Sequence, residues 1–562
     1  MRKLALLTFL LATVGFPAAA QPPVQTQQIL SKVYTIDKKY RSMEGPGSLQ
    51  RIYLGSPENP ELLWIVGVRT EMVGEDGKRP QLPELMCHVN VDLDTKRHSA
   101  LFGLNRLTAP RLVTLSQGML SARVPDGFGF PIASNEPLTL FTQVLNHNIE
   151  HPKNLKVRHR VTFEYIRERD LTAPMKPLFN VGASGMVLLD DNPLALASMP
   201  TAASMPGVDL AAKSGASDQM SGDAGAEHAA HGTSCLMAAR APNAAGTASD
   251  YVDPKGRHMT GHWVVPPGKQ VNRSDITWFM SLPFDALLHY AAVHLHPYAK
   301  SLSIRDVTTG DVVFEATAKN PPRGVGLDHV DTFVSEAGVP MYKDHQYELI
   351  SVYDNTTKEN HDSMASAFLG FEDREFVKPD PATLLARSMD LLDSGDIRTA
   401  VLRTSIGDIG IILLRDEAPA AVKQFLRLAR VGAYSHAHVA NVTPAASVSL
   451  ELRPLTDIQR ANIFPIAAET AAKHDPGALS ICPGEASFTI MLGKSPDRDG
   501  RCTVFARVGP GAQVVREMSE APRKFDGSPQ MDIEIVRVDV PTDAAAAADV
   551  QFAPAKPVAS LR

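Results

Sequence analysis

His294 and His296 stand one residue apart in the run His289-Tyr-Ala-Ala-Val-His-Leu-His-Pro297, and Met364 follows farther along the chain. On a strand, a His-x-His pair sends both imidazoles to one face and Leu295 to the other. Two imidazoles with a distant thioether form a soft, mixed nitrogen and sulfur donor set, which suits copper better than magnesium or calcium. A bare His-x-His is more often a pair of satisfied polar side chains than a metal site, so its surroundings decide. His262, His289 and His329 are further candidates nearby, as ligands or as partners that orient ligands.

The elements that must position these groups read as strands. Residues 28–190 carry β-branched and aromatic runs such as Leu62-Leu-Trp-Ile-Val-Gly-Val68 between Pro, Gly and Asp turns, without helical periodicity. Residues 191–250 shift to Ala, Ser, Gly, Met and His with almost no aromatics. Too little apolar surface is available there to offset ordering, so a linker is expected. Its Met199, Met205, Met220, His228, His231 and Met237 could deliver copper, although an Ala/Ser linker that happens to hold methionine has the same composition. Strand character returns over 251–375. A helical linker spans 376–397, with Pro381 opening a helix over 382–392 and Ser394-Gly395 ending it. A further segment runs over 398–541, and the Ala-rich tail 542–562 is expected to be disordered.

At 562 residues the chain exceeds what one core supports, and about three to four domains are expected. The net charge of −6 is spread without a basic block or an aromatic-interleaved basic stripe, which argues against nucleic acid as a partner. Arg2 and Lys3 precede the apolar run from Leu4 to Gly15, and Pro17-Ala-Ala-Ala20 offers a small-residue cleavage site. Residues 1–20 therefore read as a secretory signal, with no spanning segment later. A periplasmic or secreted protein without membrane insertion is expected. In such an oxidising compartment the four cysteines suggest disulfides. Cys482 and Cys502 share the C-terminal segment and are expected to pair, whereas Cys87 and Cys235 could each ligate metal instead.

Three landmarks in residues 30–375 resemble the two-domain core of the type II copper, ascorbate-dependent monooxygenases, the peptidylglycine-hydroxylating and dopamine β-hydroxylase family. They are the Pro266-Pro-Gly268 turn, His294 with His296, and the late Met364 in Asp362-Ser-Met-Ala-Ser-Ala-Phe368. The resemblance implies that His294, His296 and Met364 hold the oxygen-binding copper. It also implies a second copper site in the first domain, where the matching positions are Cys87, His88 and His147. There one histidine of the family's pair has become a cysteine, and the substrate-facing tyrosine after the methionine has become Phe368. These departures weigh on the hydroxylation chemistry more than on the metal.

Residues 398–541 resemble a cyclophilin-type peptidyl-prolyl isomerase. The landmarks are a strand-turn-strand opening from Val401 to Leu414, a helix within Ala418–Tyr434, and strands in Ala478–Ile481, Ser487–Gly493 and Asp499–Val508. The resemblance implies an eight-stranded β-barrel capped by two helices, with proline-containing polypeptides as ligands. Twisting an X–Pro bond faces a barrier of roughly 20 kcal/mol. The family lowers it with an apolar pocket and an arginine hydrogen bond to the amide losing conjugation. In the matching run Val439-Ala-Asn-Val442 that arginine is Asn441. The pocket's glutamines fall at Ser449 and Ser487, an aromatic at Thr489 and a histidine at Cys502, while Phe488 and Phe505 keep core positions.

The fold expected is thus mainly β: two jelly-roll-like β-sandwiches, then an eight-stranded barrel with two helices. Three functional classes follow. One is an exported copper-binding, monooxygenase-like protein, acting on a peptide or small molecule, with a degenerate isomerase domain. Another is an active isomerase assisting periplasmic folding. The third is a scaffold in which both sites are silent.

Overall fold

The structure is a computed structural model that describes residues 23–40, 44–55, 60–189, 192–194 and 251–541. The expected signal segment, nearly all of the 191–250 linker with its methionines, histidines and Cys235, and the 542–562 tail lie outside the described residues. Strands dominate, as expected, and one feature organises them. A long antiparallel pair, Leu62–Gly74 with Leu155–Arg167, anchors a sheet that runs on through Phe128–Ala133, Lys176–Ser184, Ala365–Glu372 and Ala286–Leu295 to Phe333–Met341.

Two smaller sheets complete the sandwiches. Gly47–Ile52, Leu138–Val144, Met86–Leu93 and Arg111–Ser116 form one; Gly268–Asp275, Tyr347–Asn355, Ala299–Asp306, Val312–Lys319 and His329–Val330 form the other. One continuous apolar cluster, from Ile36 to Phe371, fills both sandwiches. Burial follows sequence pattern strand by strand. Met86–Leu93 and Phe128–Ala133 are buried at every residue, whereas Tyr347–Asn355 alternates buried with half-buried, the mark of a strand with one wetted face.

The first region, read as mostly strand, also holds a helix that periodicity does not reveal. Thr95–Phe102 is a helix, capped by the Asp94 side chain accepting from the Arg97 amide and ended by Gly103 at φ 65°. Eight residues give too few turns for a periodic signal, so only the Asp and Gly caps announce it. Leu101 and Phe102 of this helix meet Leu384 of the Pro381–Ser394 helix, which begins as expected at Asp380-Pro381. Met389 and Leu392 of that second helix enter the core of the C-terminal barrel. The expected helical linker is therefore a bracket packed on both sides.

The C-terminal strands close in the order Thr399–Thr404, Gly407–Leu413, Thr503–Val508, Ala478–Ile481, Thr489–Met491, Ser447–Glu451, Ala437–Thr443 and Glu534–Asp539. Closure leaves no sheet edge. Helices Pro419–Arg430 and Ala512–Glu520 cover the barrel, and Phe425, Tyr434, Phe488 and Phe505 pack in its core in tilted and edge-on pairs at ring separations from 5.0 to 5.9 Å. Phe488 and Phe505 are thus core residues, as expected.

Cys482 and Cys502 are joined in a disulfide flanking the paired residues Ile481 and Thr503, and Cys87 is buried and in no disulfide among the described residues. A cross-link closing 20 residues stabilises by about 3 kcal/mol. Alkylation of denatured, unreduced protein is expected to modify Cys87 and to spare Cys482 and Cys502. Labelling of both of the latter without reductant would refute the pairing.

Candidate functional site

Two regions carry the sequence-predicted residues. The first lies where the sandwiches meet. His88 is on Met86–Leu93, in register with Ser116 of its neighbour strand, and His294 is on Ala286–Leu295, in register with Ser366. The fold brings these histidines from different sandwiches together, with ring centroids 6.5 Å apart. His296 lies 5.3 Å from His294, ring to ring, as a shared face requires, while Leu295 packs in the apolar core.

Both His294 ring nitrogens are buried and have no hydrogen-bond partner among the described residues. Burial drives its pKa well below the ordinary value, and neighbouring His296 and His88 add to that. A neutral imidazole results, with a lone pair available and nothing to use it. An unmatched buried nitrogen costs roughly 1–3 kcal/mol, a cost that metal coordination would offset. His88 is likewise held neutral, first by burial and then by the Arg111 guanidinium, and its Nδ1 lies 3.2 Å from Cys87 Sγ.

His296 is oriented by Asp362: Nδ1 is 3.3 Å from the carboxylate and 3.4 Å from the Asp362 carbonyl. A carboxylate behind an imidazole is the usual partner of a metal-binding histidine. The sequence reading missed Asp362, although it sits two residues before Met364 and the need for such a partner could have pointed to it. His147 has a buried Nδ1 without a partner among the described residues. Burial lowers its pKa to about 4, and it feels the charges of Asp362 and His296. The residues expected to make two sites therefore converge on one inter-sandwich region.

Met364 is fully buried. The last register pair of the two strands is Leu295 with Ala365, and His296 and Met364 are the residues that flank it in sequence. Its side chain packs with Met186 and Tyr251, and its carbonyl accepts from the Tyr353 hydroxyl at 2.5 Å. Phe368 is buried in the sandwich core. Of the other candidates, His262 lies close enough to influence His294 electrostatically. His289 is engaged elsewhere, with Nδ1 2.8 Å from the Ser335 carbonyl and its ring tilted against Phe128 at 4.2 Å between centroids. His329 pairs with Asp331 at 2.9 Å on the surface. Neither faces the cluster.

The donor set thus fits a soft or borderline metal. His88 and His294 are neutral, both His294 ring nitrogens are unmatched among the described residues, His296 is backed by the Asp362 carboxylate, and the Cys87 thiol lies beside His88.

The second region is the outer face of the barrel. Asn441 and Ser449 are directly paired across neighbouring strands, and Ser449 is paired in turn with Thr489. The Asn441 amide donates to the Asp526 carbonyl at 3.0 Å and accepts from Thr443 Oγ1 at 3.2 Å. Gly527, at φ 86°, lets its loop lie against Asn441: a Cβ there would fall 2.4 Å from Nδ2. Arg453 donates through Nε to the His436 carbonyl at 3.2 Å. Cys502 is held in the disulfide.

Residues 399–540 match the family model described as cyclophilin type peptidyl-prolyl cis-trans isomerase/CLD. The chain is 28% identical over 154 residues to peptidyl-prolyl cis-trans isomerase CYP23 of Arabidopsis thaliana, spanning 25% of this chain and 67% of that protein. It is also 28% identical over 176 residues to peptidyl-prolyl cis-trans isomerase-like 4 of Emericella nidulans, where the match covers 26% of this chain and only 38% of the relative. A cyclophilin type peptidyl-prolyl cis-trans isomerase of Cryptosporidium parvum aligns at 17% identity and a TM-score of 0.23, over 26% of this chain and 97% of that one. The C-terminal segment is a cyclophilin-type domain.

The buried histidines make stability depend on pH. His159, fully buried, has its pKa lowered by burial to about 4, beside His147 at about 4. A histidine depressed when folded takes up its proton on unfolding, so stability falls as pH drops below about 6.5 and is lost progressively down to the folded values. Each such residue contributes on the order of 3 kcal/mol. Denaturant unfolding at about pH 7.5 and pH 5 should show the acid loss, and His159→Phe should flatten it. A wild-type chain more stable at the lower pH would contradict this assignment.

Proposed function

We propose that this chain is an exported, copper-binding, monooxygenase-like protein whose cyclophilin-type domain takes proline-containing polypeptides but isomerises them slowly. The observation that carries the metal reading is His294, a neutral buried imidazole with both nitrogens unmatched beside His296 and His88. Copper bound there would supply one-electron chemistry. His294 and His296 would hold it, with Met364 as the soft third donor favouring Cu(I), and Asp362 would fix the His296 ring. His88, His147 and Cys87 could hold a second ion.

No helix among the described residues is long and apolar enough to cross a membrane. A periplasmic or secreted location remains the reading of the N-terminal sequence.

Slow isomerisation is supported by Asn441. Its amide replaces a fixed cationic fork and is already engaged by the Asp526 carbonyl. Removing one preorganised donor typically costs about 3 kcal/mol of transition-state stabilisation, on the order of a hundredfold in rate. Ser449 and Thr489 supply neither the amide nor the aromatic wall.

Copper analysis of the purified full chain should find about one tightly bound Cu(I), lost in the His294→Ala, His296→Ala double variant. Unchanged stoichiometry in that variant would remove the assignment. A coupled-protease assay should give less than about a hundredth of an ordinary cyclophilin's rate. A rate near the ordinary one would instead favour the alternative, folding catalysis by an active isomerase, which the family match at 399–540 supports.

A further inference from the structure

His438, Asp532 and Glu534 lie together on the barrel surface. Their candidate ligand atoms all fall within 4.8 Å of one another. His438 and Glu534 are register partners where the Ala437–Thr443 strand meets Glu534–Asp539, so their side chains share a face. Asp532 comes in from the segment before the last strand, with its carboxylate 2.7 Å from His438 Nδ1. His436 Nδ1 stands 3.3 Å from the Glu534 carboxylate, placed to orient it.

We infer that this triad is a second metal site, for a borderline divalent cation of the zinc class. The donors are one imidazole nitrogen and two carboxylates, with no sulfur, which separates the site chemically from the thioether-bearing cluster between the sandwiches. Two donors on a tetrahedral zinc, with bonds of about 2.1 Å, stand about 3.4 Å apart. Binding would widen the 2.7 Å His438–Asp532 spacing toward that value, the cation taking the place of the hydrogen bond between them. The cation would displace the proton between His438 and Asp532, and water would fill the fourth position.

Its position gives it a consequence. The last strand completes the barrel, and its junction with Ala437–Thr443 rests on two register pairs, Ala437 with Ile535 and His438 with Glu534. A cation held by both strands clamps that seam a few residues from Asn441. The side chains are solvent-accessible, with His438 35% and Asp532 67% exposed, so the ion exchanges readily.

Zinc titration of the metal-free full chain by calorimetry tests this. Wild-type protein should bind one more equivalent of zinc than His438→Ala or Asp532→Asn, with excess magnesium failing to compete. The His294→Ala, His296→Ala variant should retain that equivalent, which keeps the result independent of the copper site. Far-UV circular dichroism of His438→Ala and Asp532→Asn should match wild type. Equal zinc stoichiometry in wild type and both seam variants overturns the site, as does loss of all zinc binding in the His294→Ala, His296→Ala variant.

Discussion

The strand Ala365–Glu372 is hydrogen-bonded on both sides, to Lys176–Ser184 and to Ala286–Leu295. Because each ladder fixes which residues face which, Ser366 stands opposite Ser184 on one side and His294 on the other, and the two serine hydroxyls meet at 3.1 Å. A slip of one residue would turn every side chain of the strand to the opposite face. The sandwiches are thus locked in one relative register, and the facing of His294 toward His88 depends on it.

Electrostatics follows from that packing. Apolar surroundings hold His88, His147, His159 and His294 neutral, because charge in so dry a region would go unsolvated. A neutral imidazole with an unmatched lone pair is costly to stability and useful to a cation. The arrangement has the character of a site whose local cost is carried by the large surrounding core. Asp92 and Arg111 show the contrasting solution nearby. Their buried charges pair through two contacts of 2.5 and 3.0 Å and leave each other satisfied.

The barrel is coupled to this core by packing rather than by shared chemistry. One helix, Pro381–Ser394, places Leu384 among Leu101, Phe102 and Trp64 of the first sandwich and Met389 and Leu392 in the barrel. Meanwhile the barrel's aromatic core is intact, while its outer face carries small polar residues. Core strands answer to packing density, which penalises any change of volume.

Much was determined by the sequence alone. Strand character, the Pro381 helix start and the Cys482–Cys502 pairing are properties of local pattern or of short spacing, and local pattern is written in neighbouring residues, whereas the barrel segments were legible through their resemblance to a cyclophilin-type isomerase. The Thr95–Phe102 helix was legible only through Asp94 and Gly103, since eight residues carry little periodicity. What the tertiary structure alone decided are the juxtapositions: His88 beside His294, Asp362 behind His296, and His438 against Asp532 and Glu534. Each joins residues distant in the chain or on different strands, and their approach is set by ladder register and sheet continuation. Those are sums over many backbone pairings, and no single residue type or spacing in the sequence encodes them.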